Sequence, residues 1–186
     1  MLTFASFRTM KTFSLILVLV GLGSCSPTER KERTDQPPAL PSTANPYYSR
    51  TDTTVLQVAD SVWKQVLPDS VFQVARLKGT EKKFTGKYYK YNTAGTYYCA
   101  VCGNKLFRSD AKFASDCGWP SFFEPSRKTS VRYEPDTSHG LNRIEVLCGR
   151  CDSHLGHVFD DGPPPTGKRY CMNSVILDFV PELAAR

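Results

Sequence analysis

The sequence predicts a mainly β domain with one or two helices at its N-terminal edge. Three observations lead there. Apolar residues recur at helical spacing only between Val55 and Ala75. From Gly79 onward the chain breaks into short runs rich in Tyr, Phe, Val and Thr, punctuated by Gly, Asn and Pro. Two Cys-x-x-Cys pairs, far apart in that second region, supply cross-links a small β domain can fold around.

Taken in order, Val55, Leu56, Ala59, Val62, Trp63, Val66 and Leu67 follow steps of three and four, residues 51–54 offer caps, and Pro68 stops the run. A shorter helix follows, with Val71, Phe72 and Ala75 on one face and Gly79 as its C-terminal signal. Residues 87–91 and 96–99 predict a hairpin turning at 92–95, and residues 131–134, 142–147 and 174–180 predict further strands.

Ahead of this core, residues 14–22 form an apolar run behind Arg8 and Lys11. A membrane-spanning helix wants about 20 apolar residues, so the run is a signal-peptide core. It ends in Leu22-Gly23-Ser24-Cys25, which resembles a bacterial lipobox, with cleavage before Cys25 and lipid on its thiol. A plain secretory signal with an incidental Cys25, and a start at Met10, are the alternatives. Residues 26–50 hold five prolines, mixed charge and almost no large aliphatics, the composition of a flexible tether. The expected organisation is therefore a signal peptide over 1–24, a lipidated cysteine and linker over 25–50, and a domain over 51–186. The expected location is extracytoplasmic, as a membrane-anchored bacterial lipoprotein on the periplasmic side or outer membrane, or secreted if lipid is absent.

The formal charge of +6 falls to +3 in residues 51–186, where eighteen bases face fifteen acids. No Lys/Arg stripe appears there, which excludes nucleic acid as a partner.

Seven cysteines cannot all close into disulfides within one chain. Cys99-Ala-Val-Cys102 and Cys148-Gly-Arg-Cys151 can each direct two sulfurs at one point, and together they complete a tetrahedral thiolate shell for structural zinc. Two disulfides are the competing use of the same residues in an oxidising compartment. Cys117 and Cys171 remain. Arg169 precedes Cys171 by two residues and Asn173 follows it by two, so an extended segment puts both on the sulfur's face, where positive charge and donors favour a thiolate. His154 and His157, followed by Asp160 and Asp161, are residue types that deliver and orient protons. Cys117 stands beside Gly118 and Trp119; a second thiol on a loop suits a resolving cysteine, and a buried cysteine beside a core Trp is the plainer alternative.

Residues 80–180 resemble the peptide methionine (R)-sulfoxide reductases of the B type. The resemblance runs through Gly79-Thr-Glu81, Phe84 and Gly86, through Gly95-Thr-Tyr-Tyr-Cys99 and Cys117-Gly-Trp-Pro-Ser-Phe122, and on to His154-Leu-Gly-His-Val-Phe-Asp-Asp-Gly162 and Arg169-Tyr-Cys-Met-Asn-Ser174. It implies antiparallel sheets of the MsrB type braced by a four-cysteine zinc site. It implies Cys171 as the nucleophile assisted by Arg169, Cys117 as the resolving thiol, and Trp119 against the substrate methyl. His154, His157 and Asn173 would bind and protonate the sulfoxide oxygen, with Asp161 as a helper. The implied partners are proteins carrying methionine (R)-sulfoxide and a thioredoxin-like reductant, besides the membrane reached through lipid on Cys25. A non-catalytic zinc-braced binding module would need the zinc cysteines but neither Cys117 nor Cys171. A general thiol–disulfide oxidoreductase would exchange disulfides without any sulfoxide.

Overall fold

The computed structural model describes residues 45–183. The leader, Cys25 and the linker up to residue 44 lie outside the described residues. Two short helices, α1 (Asp60–Val66) and α2 (Asp69–Ala75), precede nine strands. These are β1 (Gly95–Cys99), β2 (Lys105–Arg108), β3 (Lys112–Phe113), β4 (Ser121–Phe122), β5 (Val131–Asp136), β6 (Arg143–Cys148), β7 (His154–Phe159), β8 (Arg169–Met172) and β9 (Leu177–Pro181). They form a three-stranded sheet in the order β2-β1-β9 and a six-stranded sheet in the order β3-β4-β8-β7-β6-β5, with every pairing antiparallel.

Aromatic side chains join the two sheets. Phe107 of β2 stacks on Phe122 of β4 with ring centroids 4.4 Å apart, and Tyr97 of β1 meets Phe122 at 5.0 Å and Phe179 of β9 at 4.8 Å. Tyr97, Phe107 and Phe122 are completely buried. Each contributes about 1.5–3 kcal/mol by leaving water, so the contact between sheets is hydrophobic before any metal is considered.

The chain departs from the helical periodicity at its start. Only Asp60–Val66 is helical, and the residues before it run extended, with Ala59 at φ −63° and ψ 147°. Arg150 is the cause. Its guanidinium, almost wholly buried, donates to the carbonyls of Tyr47, Thr54 and Cys102 and to the Asp52 carboxylate, while its own carbonyl accepts from the Leu56 amide at 2.7 Å. A buried guanidinium needs acceptors for its N–H groups, and this strap of backbone supplies them, outweighing weak local helix propensity. Residues 45–50, placed in the tether by composition, are part of that packed strap: the Ser49 amide donates to the Cys102 carbonyl at 3.0 Å and Asn45 to the Val101 carbonyl at 2.8 Å.

Two other expectations change for physical reasons. Residues 87–91 form turns, because β2 and β9 already occupy both edges of β1; Tyr88 and Tyr91 instead pack their rings on Phe179. Residues 174–180 divide into a 3₁₀ turn over Ser174–Ile176 followed by β9. After α2 the left-handed residue is Lys78 at φ +56°, one position before the expected Gly79.

Candidate active site and metal centre

The two Cys-x-x-Cys segments fold alike. In the first, the Gly103 amide donates to the Cys99 carbonyl at 2.8 Å and the Cys99 amide to the Asn104 carbonyl at 2.8 Å. In the second, the Asp152 amide donates to the Cys148 carbonyl at 3.0 Å and the Cys148 amide to the Ser153 carbonyl at 2.8 Å. Each turn closes on a left-handed residue, Gly103 at φ +77° and Asp152 at φ +55°. All four sulfurs are buried and lie within 4.8 Å of one another. Cys99 and Cys151 are 3.8 Å apart and Cys102 and Cys148 3.6 Å apart. A disulfide would hold them at about 2.05 Å, whereas a tetrahedral Zn–S shell with bonds of about 2.3 Å has sulfur–sulfur edges of about 3.8 Å. The donor set therefore fits zinc, and the disulfide alternative does not describe these residues. Asn104 donates to the Cys148 sulfur at 3.5 Å, and the Ser153 hydroxyl lies 3.2 Å from the Cys151 sulfur, within hydrogen-bonding distance. With four protein thiolates the shell is closed to substrate, so the site is structural.

Cys171 sits in β8, between β4 and β7, opposite Ser121 on one side and His157 on the other. The Cys117 sulfur, from the loop before β4, lies 3.1 Å from the Cys171 sulfur, and both thiols are free and half-buried. Cys117 also lies 3.1 Å from the Ser115 hydroxyl and 3.3 Å from that of Ser121. The hydrogen bond from Cys171, with those hydroxyls, holds Cys117 down to about 4 against the effect of burial. The same hydrogen bond, then burial, pushes Cys171 up, while the nearby Arg169 pulls it down. The two thiols form one coupled pair, in which these contacts favour the anion on Cys117. Proximity to Arg169 alone would have placed that charge on Cys171.

Arg169 is held in place by a two-pronged contact with Asp161, at 2.9 and 2.8 Å, and its guanidinium lies over the Phe159 ring at 4.5 Å. Asn173 is buried, accepting from the Glu81 amide at 3.0 Å and donating to the Leu155 carbonyl at 3.0 Å. Those bonds run to backbone and fix residue 81, whose carbonyl accepts from the Trp119 indole at 3.1 Å. The Asn173 amide therefore supports the Trp119 loop. Strand pairing of β7 with β8 depends on Gly156, where an added Cβ would lie 2.1 Å from the Cys171 carbonyl oxygen. Gly156→Ala is expected to cost about 2–4 kcal/mol by backbone displacement, seen as a lowered Tm together with impaired turnover.

All three histidines, His139, His154 and His157, line a polar cavity of about 560 Å³. His157 Nε2 lies 2.7 Å from Asp136, which also receives Arg143 at 2.7 Å. His154 Nδ1 lies 2.7 Å from buried Glu145, whose other oxygen receives Lys78 at 2.7 Å. The sequence-predicted Cys117, Cys171, Arg169 and His157 come together around one strand, with Trp119 and His154 flanking them. Asp160 pairs with Lys168, away from the thiols. Ser115, Ser121, Asp136, Glu145 and Lys78 were not foreseen. For Glu145 a signal existed, since it is an acid leading into the apolar run Val146-Leu147 of a buried strand.

Comparison with known proteins agrees with this geometry. A model of the SelR domain matches residues 67–181. The peptide methionine sulfoxide reductase MsrB of Azotobacter vinelandii is 52% identical over 126 residues, covering 68% of this chain and 95% of that protein. The MsrB of Pseudomonas syringae pv. syringae is 56% identical over 126 residues, 68% and 96% of the two chains, and that of Pseudomonas putida 57% over 119 residues, 64% and 90%. With its paired thiols, its four-sulfur zinc site and a domain match spanning most of the folded chain, this protein belongs to the peptide methionine sulfoxide reductase MsrB family.

Proposed function

We propose that the domain reduces methionine (R)-sulfoxide in proteins, with Cys171 as nucleophile and Cys117 as resolving thiol. The observation that carries this reading is the pair of free sulfurs 3.1 Å apart, next to Arg169 and the histidine-lined cavity. The Cys171 sulfur attacks the sulfoxide sulfur; its own proton ends on the oxygen, so that Cys171–SH and the sulfoxide become Cys171–SOH and methionine. The Cys117 sulfur then attacks the Cys171 sulfur, the S–OH bond breaks, the hydroxide takes the Cys117 proton and leaves as water, and a disulfide forms across a gap the fold has already closed. A thioredoxin-like dithiol returns both thiols by exchange.

The other residues take supporting roles in this reading. Arg169, oriented by Asp161, lowers the cost of a Cys171 thiolate. Trp119, anchored through residue 81 and Asn173, presents an apolar wall to the substrate methyl and selects the epimer. His154 and His157 handle the proton at oxygen. Zinc, when bound, supplies structure and no open position for chemistry. The lipobox-like Cys25 would tether the domain to an extracytoplasmic membrane surface; among the described residues no helix is long and apolar enough to cross a membrane.

The test is a stoichiometric turnover without reductant. One methionine per chain is expected from the (R)-sulfoxide and none from the (S)-epimer, with a Cys117–Cys171 disulfide peptide appearing by mass spectrometry. No methionine from either epimer, with the Cys117–Cys171 disulfide forming only when a small-molecule disulfide is added and reduced, would favour a general disulfide exchanger instead.

A further inference from the structure

Of the three histidines at the cavity, His154 and His157 differ in which ring nitrogen meets a carboxylate. His157 presents Nε2 to Asp136 at 2.7 Å. His154 presents Nδ1 to Glu145 at 2.7 Å, and its Nε2 is buried with no protein partner. A buried polar atom left without a partner is costly, and the residue that carries it lines the 560 Å³ cavity. Glu145 is itself 2% exposed, the only carboxylate buried to that degree among the described residues. Its second oxygen is held by Lys78, whose backbone at φ +56° is a sparsely populated conformation for a side-chain-bearing residue. A buried carboxylate that receives Lys78 on one oxygen and His154 on the other cannot rotate without breaking a charged hydrogen bond.

We propose that Glu145 is a positioning residue for the reductase reaction: it holds the His154 proton on Nδ1, so that the unpartnered Nε2 is the basic atom of the ring, and stabilises the imidazolium formed when a proton reaches Nε2. Lys78 sets the strength of this effect from the far side of the carboxylate. The inference rests on the reading of His154 as a proton carrier. In that reading the proton leaving the Cys171 thiol passes through Nε2 to the sulfoxide oxygen, so His154 borrows and returns one proton per turnover and the reaction stays balanced. Burial pushes His154 below its usual value, Glu145 pulls it up, and His157 and Lys78 push it down. Asp136, Arg143 and His139 also line the cavity, and Asp136 receives both Arg143 and His157. His154 is thus neutral at rest, with a lone pair on Nε2, as a proton relay requires.

Only three histidines occur in the chain, His139, His154 and His157, so ¹⁵N-histidine NMR of the full chain resolves each. The wild-type spectrum is expected to show His154 as the Nδ1–H tautomer. Glu145→Gln offers Nδ1 an oxygen or an amino group, so the tautomer is no longer enforced; the His154 titration is expected to move to lower pH, and kcat/KM to fall about ten- to a hundredfold. Lys78→Met is expected to move the same titration to higher pH. Shifts of opposite sign from two members of one contact are not produced by loosened packing. A wild-type Nε2–H tautomer, or titrations unchanged in both variants, overturns the positioning role. Full kcat/KM in His154→Gln overturns the proton-carrier reading beneath it, whatever the tautomer.

Discussion

Replacing Cys148 by serine, or stripping zinc with a strong chelator, is expected to unfold the domain rather than slow it. Cys99 ends β1 in the three-stranded sheet, and Cys148 ends β6 in the six-stranded sheet. A metal held by both knuckles therefore bolts one sheet to the other, at the end of a joint otherwise made by Tyr97, Phe107 and Phe122. Structural zinc sites contribute about 10–16 kcal/mol of apparent binding free energy, as much as the whole net stability of a typical domain, about 5–15 kcal/mol. The strap from Tyr47 to Leu56 should go with it, because Arg150 lies between the cysteines of the second knuckle and reaches the carbonyl of Cys102 in the first. The measurement is near-UV circular dichroism during titration with a chromophoric chelator. Release of one zinc per chain with a cooperative loss of tertiary signal is expected; release with an unchanged Tm would show that the hydrophobic joint suffices alone.

What was legible in the sequence follows the range of the forces involved. The Cys-x-x-Cys pairs declare themselves because short turns impose their spacing locally. Strands β6 and β9 declare themselves through short aliphatic and aromatic runs, and β5 through Val131 and Tyr133 alternating with charged residues. The start of α1 was not legible, because the acceptors that hold residues 47–56 extended serve Arg150, nearly a hundred residues away. Nor could residues 87–91 be placed without knowing that β9 returns to pair with β1. The site shows the same division. Arg169 and Cys171 share β8, with Asn173 just past its end, and the three could be grouped by their spacing, but the amide of Asn173 is spent on Glu81 and Leu155, partners that only the fold supplies. The carboxylates behind the histidines reach them through the same long-range topology: Glu145 lies on β6, beside β7, and Asp136 on β5, one strand further out.

The division of labour between the thiols gives the sharpest expected contrast. Cys171→Ser should abolish methionine formation, a loss of at least about 10⁴-fold, since a serine hydroxyl is not ionised near neutral pH and no other free thiol among the described residues lies in β8. Cys117→Ser should still release one methionine per chain and then stop with Cys171 as sulfenic acid, trapped by a dimedone-type reagent. The two variants also report where the resting charge sits. The hydrogen bond to Cys117 is the largest influence raising Cys171, and Arg169 opposes it. In Cys117→Ser the competing thiolate is gone and a hydroxyl donor takes its place, so Cys171 should ionise at lower pH and alkylate faster with iodoacetamide at pH 7. In the wild type the hydrogen bond from Cys171 and the Ser115 and Ser121 hydroxyls pull Cys117 down, so Cys117 should be the residue alkylated first at pH 6. Alkylation of Cys171 first in the wild type would mean that Arg169 outweighs the Ser115 and Ser121 hydroxyls. Alkylation of Cys117 first means that the fold stores the charge on the resolving thiol and hands it across 3.1 Å when the sulfoxide arrives.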